Sequence, residues 1–224
     1  MTVVLLVDDD APMRDFVRRN LEARDFIVHE SANGVEALAA VRHVMPDVVI
    51  LDIMMPHLDG YETCTRLRQF SEVPVIVLTA MGDERDIVHA LDCGADDCLT
   101  KPFGIEELLA RLRSVLRRAA RETTVDSEIV VYRDLKVDIA AHRVWLGDNE
   151  LSLTRTEFSV LRHYALNLHK TVPHQMVLHA VWGDGFESET HYVRIYLSRL
   201  RSKIETGGDP YFATEHGLGY RLGV

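Results

Sequence analysis

Cysteine is scarce in this chain. Only Cys64, Cys93 and Cys98 occur in 224 residues, an odd number with no C-x-x-C pair. That excludes a disulfide framework and a cysteine zinc site, and it suits a reducing cytoplasm. No apolar run approaches the roughly 20 residues that span a bilayer. The Met1-Thr2-Val3-Val4 start has no basic segment of the kind that opens a secretory signal, so a membrane protein is not expected. Aromatic residues make up only 7% of the chain, yet 47% of residues are hydrophobic and 27% charged. This is the composition of a folded globular protein, long enough for two ordinary domains or one large one.

Positive charge is also in deficit. A net charge of −10 argues, taken whole, against a nucleic-acid partner. The distribution says more. Through Glu122 there are 14 Lys and Arg against 22 Asp and Glu, net −8; from Thr123 onward there are 11 against 13, net −2. Within 190–203 stand Arg194, Arg199, Arg201 and Lys203 with no acid among them. Local potential rather than total charge governs binding, so that stripe can face phosphates.

What is present centres on Val48-Val49-Ile50-Leu51-Asp52. Four apolar residues in a row, mostly β-branched, read as a strand covered on both faces, and Pro56 ends the ladder soon after. Asp52 falls where such a strand emerges, the edge at which open α/β sheets bind ligands. An acid there is costly unless something pairs with it. Alone it is as readily a turn cap.

Similar runs recur at Val3–Val7, Phe26–Val28, Val75–Leu78 and Cys98–Leu99. Helical patterns lie between and after them, over Pro12–Ala23, Gly34–Arg42, Gly60–Gln69, Glu84–Asp92 and Ile105–Arg118. Five βα units predict a doubly wound parallel sheet within residues 1–120. A polar stretch at 121–127 reads as a linker. Residues 128–224 then show short alternating runs and a turn at Asp148-Asn149, followed by Thr154-x-x-Glu157 as a capping box. Helices are predicted to about Asn167, over His174–Trp182 and over Thr190–Ile204, and a closing hairpin follows. Three helices and a hairpin predict a winged helix-turn-helix.

Chemistry gathers at the strand ends. Strand one runs into Asp8-Asp9-Asp10, three acids that repel one another unless a divalent cation such as Mg²⁺ joins them. In a sheet ordered 2-1-3-4-5, strands one and three are neighbours, so Asp9 and Asp52 share one crevice. Strand four delivers the Thr79 hydroxyl, and Lys101 follows strand five. Singly, either would be a cap or a surface charge. A carboxylate nucleophile, a metal, a hydroxyl and an ammonium together are what phosphoryl transfer to an aspartate needs.

Val7-Asp-Asp-Asp10, Leu51-Asp-Ile-Met-Met-Pro56, Leu78-Thr-Ala80 and Gly94-Ala-Asp-Asp-Cys-Leu-Thr-Lys-Pro-Phe103 resemble the receiver domain of two-component response regulators, over about 1–118. The resemblance implies phosphorylation of Asp52 by a sensor histidine kinase. It implies a Mg²⁺ site at Asp8, Asp9, Asp52 and the Met54 carbonyl, phosphoryl contacts from Thr79 and Lys101, and a cis Lys101–Pro102 bond. The family usually carries an aromatic switch residue three positions before the lysine. Here that residue is Cys98, which has no ring to turn inward when Thr79 moves.

On the 190–204 helix, Val193, Leu197, Leu200 and Ile204 form a core stripe. The opposite side collects His191, Tyr192, Arg194, Ile195, Ser198, Arg199 and Ser202 for a major groove, flanked by Arg201 and Lys203 toward backbone phosphates. Thr154-x-x-Glu-Phe158, Ala180-Val-Trp-Gly183, Arg199-Leu-Arg-Ser-Lys203 and Gly217-Leu-Gly-Tyr-Arg221 resemble the OmpR/PhoB class of winged-helix regulators. Within it, His191-Tyr-Val-Arg-Ile-Tyr-Leu197, Lys101-Pro-Phe-Gly-Ile105 and Thr214-Glu-His-Gly-Leu-Gly-Tyr-Arg221 most resemble KdpE-like regulators of potassium transport. That class implies promoter DNA and RNA polymerase as partners. It also implies a homodimer formed on activation through charges at Asp96, Asp97, Glu107, Arg111 and Arg118, with His216 where a wing-tip arginine is usual.

Three other readings compete. Asp8-x-Asp10 after a strand resembles phosphatases with a first-strand aspartate nucleophile, but Pro12 stands where they want Thr or Val, and Asp52 is left unexplained. A regulator that binds DNA without phosphorylation does not need the complete acidic site. A flavodoxin-like electron carrier would want a phosphate-cradling loop after strand one, and none follows.

Overall fold

The computed structural model describes residues 1–80, 84–121, 128–206 and 209–224, with 84 and 118–121 described by backbone only. It divides into two compact units, Met1–Leu116 and Arg117–Val224. Past its first residue, the expected 121–127 linker lies outside the described residues.

The first unit alternates strand and helix: β1 (Val3–Val7), α1 (Ala11–Glu22), β2 (Ile27–Ser31), α2 (Gly34–Val44), β3 (Val48–Asp52), α3 (Gly60–Leu67), β4 (Val75–Thr79), α4 (Glu84–Asp92), β5 (Asp97–Thr100) and α5 (Ile105–Arg121). The five strands form one parallel sheet in the order β2-β1-β3-β4-β5, as the alternation predicts. Every residue of β3 and β4 is buried, because helices cover both faces of a parallel sheet. One core joins Val4, Leu6, Val48, Ile50, Ile76, Leu78 and Leu99 of the strands to Val17 and Leu21 of α1 and to Leu108, Leu109, Leu112 and Val115 of α5. The alternate strand residues face the other layer.

Local sequence sets the helix starts. Asn33 and Asp59 accept the Glu36 and Glu62 amides at 3.0 and 2.8 Å, caps worth about 1 kcal/mol each. Pro12 occupies the first turn of α1, where its missing N–H costs nothing. Gly60 is required where it stands. A Cβ there would lie 2.2 Å from the Asp52 carbonyl oxygen, so α3 starts hard against the end of β3.

The second unit opens with an antiparallel sheet of β6 (Ile129–Tyr132), β7 (Leu135–Asp138), β8 (Arg143–Leu146) and β9 (Asn149–Leu151). Then come α6 (Arg155–Ala165), β10 (Val172–Pro173), α7 (His174–Val181), α8 (Thr190–Ile204) and the hairpin β11 (Phe212–Glu215) and β12 (Gly219–Leu222). β10 pairs with β12 and makes the hairpin a three-stranded sheet. The two-residue β10 carries too little pattern to be read from sequence. Thr154 and Glu157 close the expected capping box at the head of α6. Trp182, Tyr164, Tyr192 and Tyr196 are the largest fully buried side chains of this unit.

Candidate functional site

The sheet order puts a crevice at the carboxyl ends of β1 and β3, where the connections diverge. Asp8 and Asp9 follow β1, and Asp52 ends β3. Oxygens of these three carboxylates lie within 4.8 Å of one another. Asp8 and Asp52 are buried and Asp9 is exposed. The Asp8 carboxylate accepts the Asp10 amide at 2.9 Å, and Arg14 donates to the Asp8 carbonyl at 2.6 Å, which fixes the turn into α1. That arginine contact was not read from sequence, since nothing there distinguishes Arg14 from the other basic residues of α1.

Lys101 enters from the turn after β5, next to a cis Lys101–Pro102 bond. Its Nζ lies 2.8 Å from Asp8 Oδ2 and 2.8 Å from Asp52 Oδ1. Thr79 closes β4 on the same edge, buried, with its carbonyl accepting the Lys101 amide at 2.6 Å. Met54 sits exposed in the turn that follows Asp52. Asp8, Asp9, Asp52 and Lys101 therefore converge, and Thr79 and Met54 come in on the adjoining chain.

Burial pushes the Asp52 carboxyl above its ordinary value, and Asp8 and Asp9 add to that against the opposing pull of Lys101. For Lys101, burial disfavours the ammonium, but the bonds to Asp52 and Asp8 outweigh it and hold its pKa above the ordinary value. Three carboxylates facing one ammonium leave two negative charges uncompensated in a half-buried crevice. The donors are all hard oxygens, and one is open to solvent. That set fits a hexacoordinate dication such as Mg²⁺, which keeps several waters and uses few carboxylates.

Cys98 lies under α4, buried, with its thiol pushed up to about 12 by burial and by Asp97. No thiolate forms there near neutrality. Nearby, Tyr61 of α3 stacks on His89 of α4 with ring centroids 4.2 Å apart.

Two of the charges expected at a dimer interface lie inside the protomer. Asp96 and Asp97 are buried. Asp96 pairs with Arg68 at 2.9 Å and accepts the Val75 amide, so it fastens the starts of β4 and β5. Asp97 pairs with Arg111 of its own chain at 2.7 Å. Glu107 is exposed and 3.3 Å from Arg111. The side chain of Arg118 lies outside the described residues.

On α8, the expected core stripe of Val193, Leu197, Leu200 and Ile204 is buried. Arg194 and Ser198 are exposed, and His191 and Arg199 are half-buried. Tyr192 and Ile195 were expected on this face and are buried instead, at 2% and 8% exposure. Tyr192 stacks edge-on against Trp182, and Tyr196 packs on the same indole. The helix is enclosed by α6, α7 and the hairpin, so its buried arc is wider than a 3–4 stripe. Arg201 donates to the Phe212 carbonyl and the Thr214 hydroxyl, and Lys203 to Glu157 and the Ser152 carbonyl. Both turn back into the domain, away from the outward face expected for them. His216 is exposed at the hairpin tip beside Gly217, whose φ of +77° makes the turn.

Comparison with known proteins agrees with this geometry. Residues 4–113 match the response regulator receiver domain family, and residues 148–222 match the C-terminal domain of transcriptional regulatory proteins. The KDP operon transcriptional regulatory protein KdpE of Escherichia coli (strain K12) is 43% identical over 226 residues, covering 99% of each chain. Response regulator MprA of Mycobacterium sp. (strain KMS) is 40% identical over 221 residues, covering 98% of this chain and 96% of its own. A solved RitR mutant, 23% identical, covers 99% of both chains with a TM-score of 0.82 and shares the fold. No helix among the described residues is long and apolar enough to cross a membrane.

Proposed function

We propose, for a chain that belongs to the two-component response regulators with a receiver and a C-terminal DNA-binding domain, that phosphorylation of Asp52 controls its hold on promoter DNA. The observation that carries this reading is the convergence of Asp8, Asp9 and Asp52 within 4.8 Å, with Lys101 2.8 Å from two of them. A sensor histidine kinase in the cytoplasm supplies the phosphoryl group. An Asp52 oxygen attacks phosphorus, the P–N bond to the kinase imidazole breaks, and its electron pair stays on that nitrogen. Asp52 becomes an acyl phosphate. Lys101, already charged at the site, meets one phosphoryl oxygen, and the Thr79 hydroxyl donates to another.

Mg²⁺, held by Asp8, Asp9, Asp52 and the Met54 carbonyl, would supply positive charge to the transferring phosphoryl oxygens. Without the usual aromatic switch at Cys98, activation depends more on movement of α4 after Thr79 engages the phosphoryl group. Two receivers then dimerise, with Glu107 as an outward charge. Arg194, Ser198, Arg199 and His191 of each α8 read the major groove, His216 lies toward backbone, and the bound dimer meets RNA polymerase. The likeness to KdpE extends the proposal to potassium-transport genes.

Incubation with acetyl phosphate and Mg²⁺, followed by borohydride reduction and peptide mass mapping, tests the acceptor. Modification at Asp52 and none at Asp8 supports it; modification at Asp8 would move the chain to the phosphatase reading.

A further inference from the structure

Arg201 carries positive charge on the helix proposed to enter DNA, yet its guanidinium is spent inside the domain. It donates to the Phe212 carbonyl and to the Thr214 Oγ1, both at 3.1 Å, and lies 5.4 Å from the centre of the Tyr220 ring. Thr214 and Tyr220 face each other across the hairpin, so one guanidinium touches both members of a single rung. The next rung, Glu215 opposite Gly219, leads straight into the tip that carries His216. Just past the end of α8, Glu205 Oε1 accepts the amides of Tyr211 and Phe212 at 2.8 and 3.0 Å. Phe212 is thus held at its carbonyl by Arg201 and at its amide by Glu205, with its ring in the core at 2% exposure.

We propose that Arg201 is a positioning residue, which fixes the angle and height of the β11–β12 wing relative to α8 and so sets where His216 meets DNA. This rests on the reading of α8 as the DNA-facing helix. Both bonds leave one nitrogen, Nη2, whose two N–H groups are fixed in the guanidinium plane while that plane lies by the Tyr220 ring; a lysine ammonium turns freely on its stem and has no planar face. A phosphate contact would instead add about 0.9 to the slope of log affinity against log salt.

The test uses the full chain activated with beryllofluoride and Mg²⁺, and a duplex selected on the wild-type protein from a randomised library. Affinity is measured across a salt series. Arg201→Lys and Arg201→Gln are expected to weaken binding alike, by about five- to tenfold, the scale of one or two lost hydrogen bonds. The slope of log affinity against log salt stays as in the wild type. Thr214→Val, an exposed position that alters no charge, weakens binding in the same direction with the same slope. Arg194→Gln, as the reference for a phosphate or base contact, lowers the slope by about 0.9. Arg201→Lys with near wild-type affinity, or Arg201→Gln with a slope lowered like that of Arg194→Gln, overturns the proposal. If Arg194→Gln changes neither affinity nor slope, the reading of α8 fails. A wild-type rate of amide exchange at β11 and β12 in the Arg201→Lys chain would also overturn the positioning role.

Discussion

Arg111 of α5 donates to Asp97 at the head of β5, 2.7 Å apart, with the Asp97 side chain fully buried and that of Arg111 17% exposed. This is an ion pair within one protomer. It predicts that Arg111 matters to the receiver before any partner arrives.

Arg111→Ala should destabilise the receiver by about 3 kcal/mol, the cost of leaving a buried charge without its main partner. Glu107→Ala, at an exposed position, should cost under about 1 kcal/mol. Urea melts at a concentration where the protein is monomeric check both. Equal effects would mean that Asp97 does not depend on Arg111.

The thiols should differ in reactivity. Cys98 is 4% exposed with its pKa pushed up to about 12, first by burial and then by Asp97, while Cys93 is partly exposed. Iodoacetamide at pH 7.5 should alkylate Cys93 first and leave Cys98 untouched in the native protein. Mass mapping over time decides this, and early labelling of Cys98 would contradict the burial of its thiol.

Acid should weaken the DNA-binding unit early. His163 and His174 are both held below the ordinary histidine value, first by burial and then by Arg162 and Arg194 respectively. Among the described residues, each has a buried Nε2 without a hydrogen-bond partner. The folded form therefore favours neutral imidazole, and the unfolded chain takes up protons more readily. Stability from this source is full above about pH 6.5 and is lost as pH falls toward the lowered folded values. Calorimetry from pH 7.5 to 5.5 should show the second unit melting progressively lower, with His163→Leu flattening the decline. A melting temperature unchanged across that range would contradict the assignment.

Metal binding should respond to Asp9 without loss of fold. Asp9 is exposed and shares the cluster with Asp8 and Asp52. Asp9→Asn should weaken Mg²⁺ binding by titration calorimetry, since one of its few carboxylate ligands is lost, and leave the melting temperature near that of the wild type. Undiminished Mg²⁺ affinity would place the cation elsewhere.

Much of this was legible because it rests on period and position. The strand-end placement of Asp8, Asp52, Thr79 and Lys101 follows from counting apolar runs and applying one topology. The capping box at Thr154 and Glu157 is a local pattern. What escaped depends on tertiary neighbours. Tyr192 and Ile195 fall on the side of the helix opposite its core stripe, and both are nonetheless buried, Tyr192 edge-on against Trp182. Asp96 and Asp97 are implied at a dimer interface by family resemblance, and only the structure brings Arg68 and Arg111 beside them within the protomer. Arg201 and Lys203 were assigned by charge, whereas their partners lie 11 to 51 residues away in sequence.

The most direct measurement compares DNA affinity of the full chain with and without beryllofluoride and Mg²⁺, for the wild type and for Asp52→Asn. The wild type should tighten by at least about tenfold, the coupling scale of a phosphorylation switch, and Asp52→Asn should not respond. Equal affinity of the wild type in both conditions, or an equal response from Asp52→Asn, would contradict phosphorylation control through Asp52.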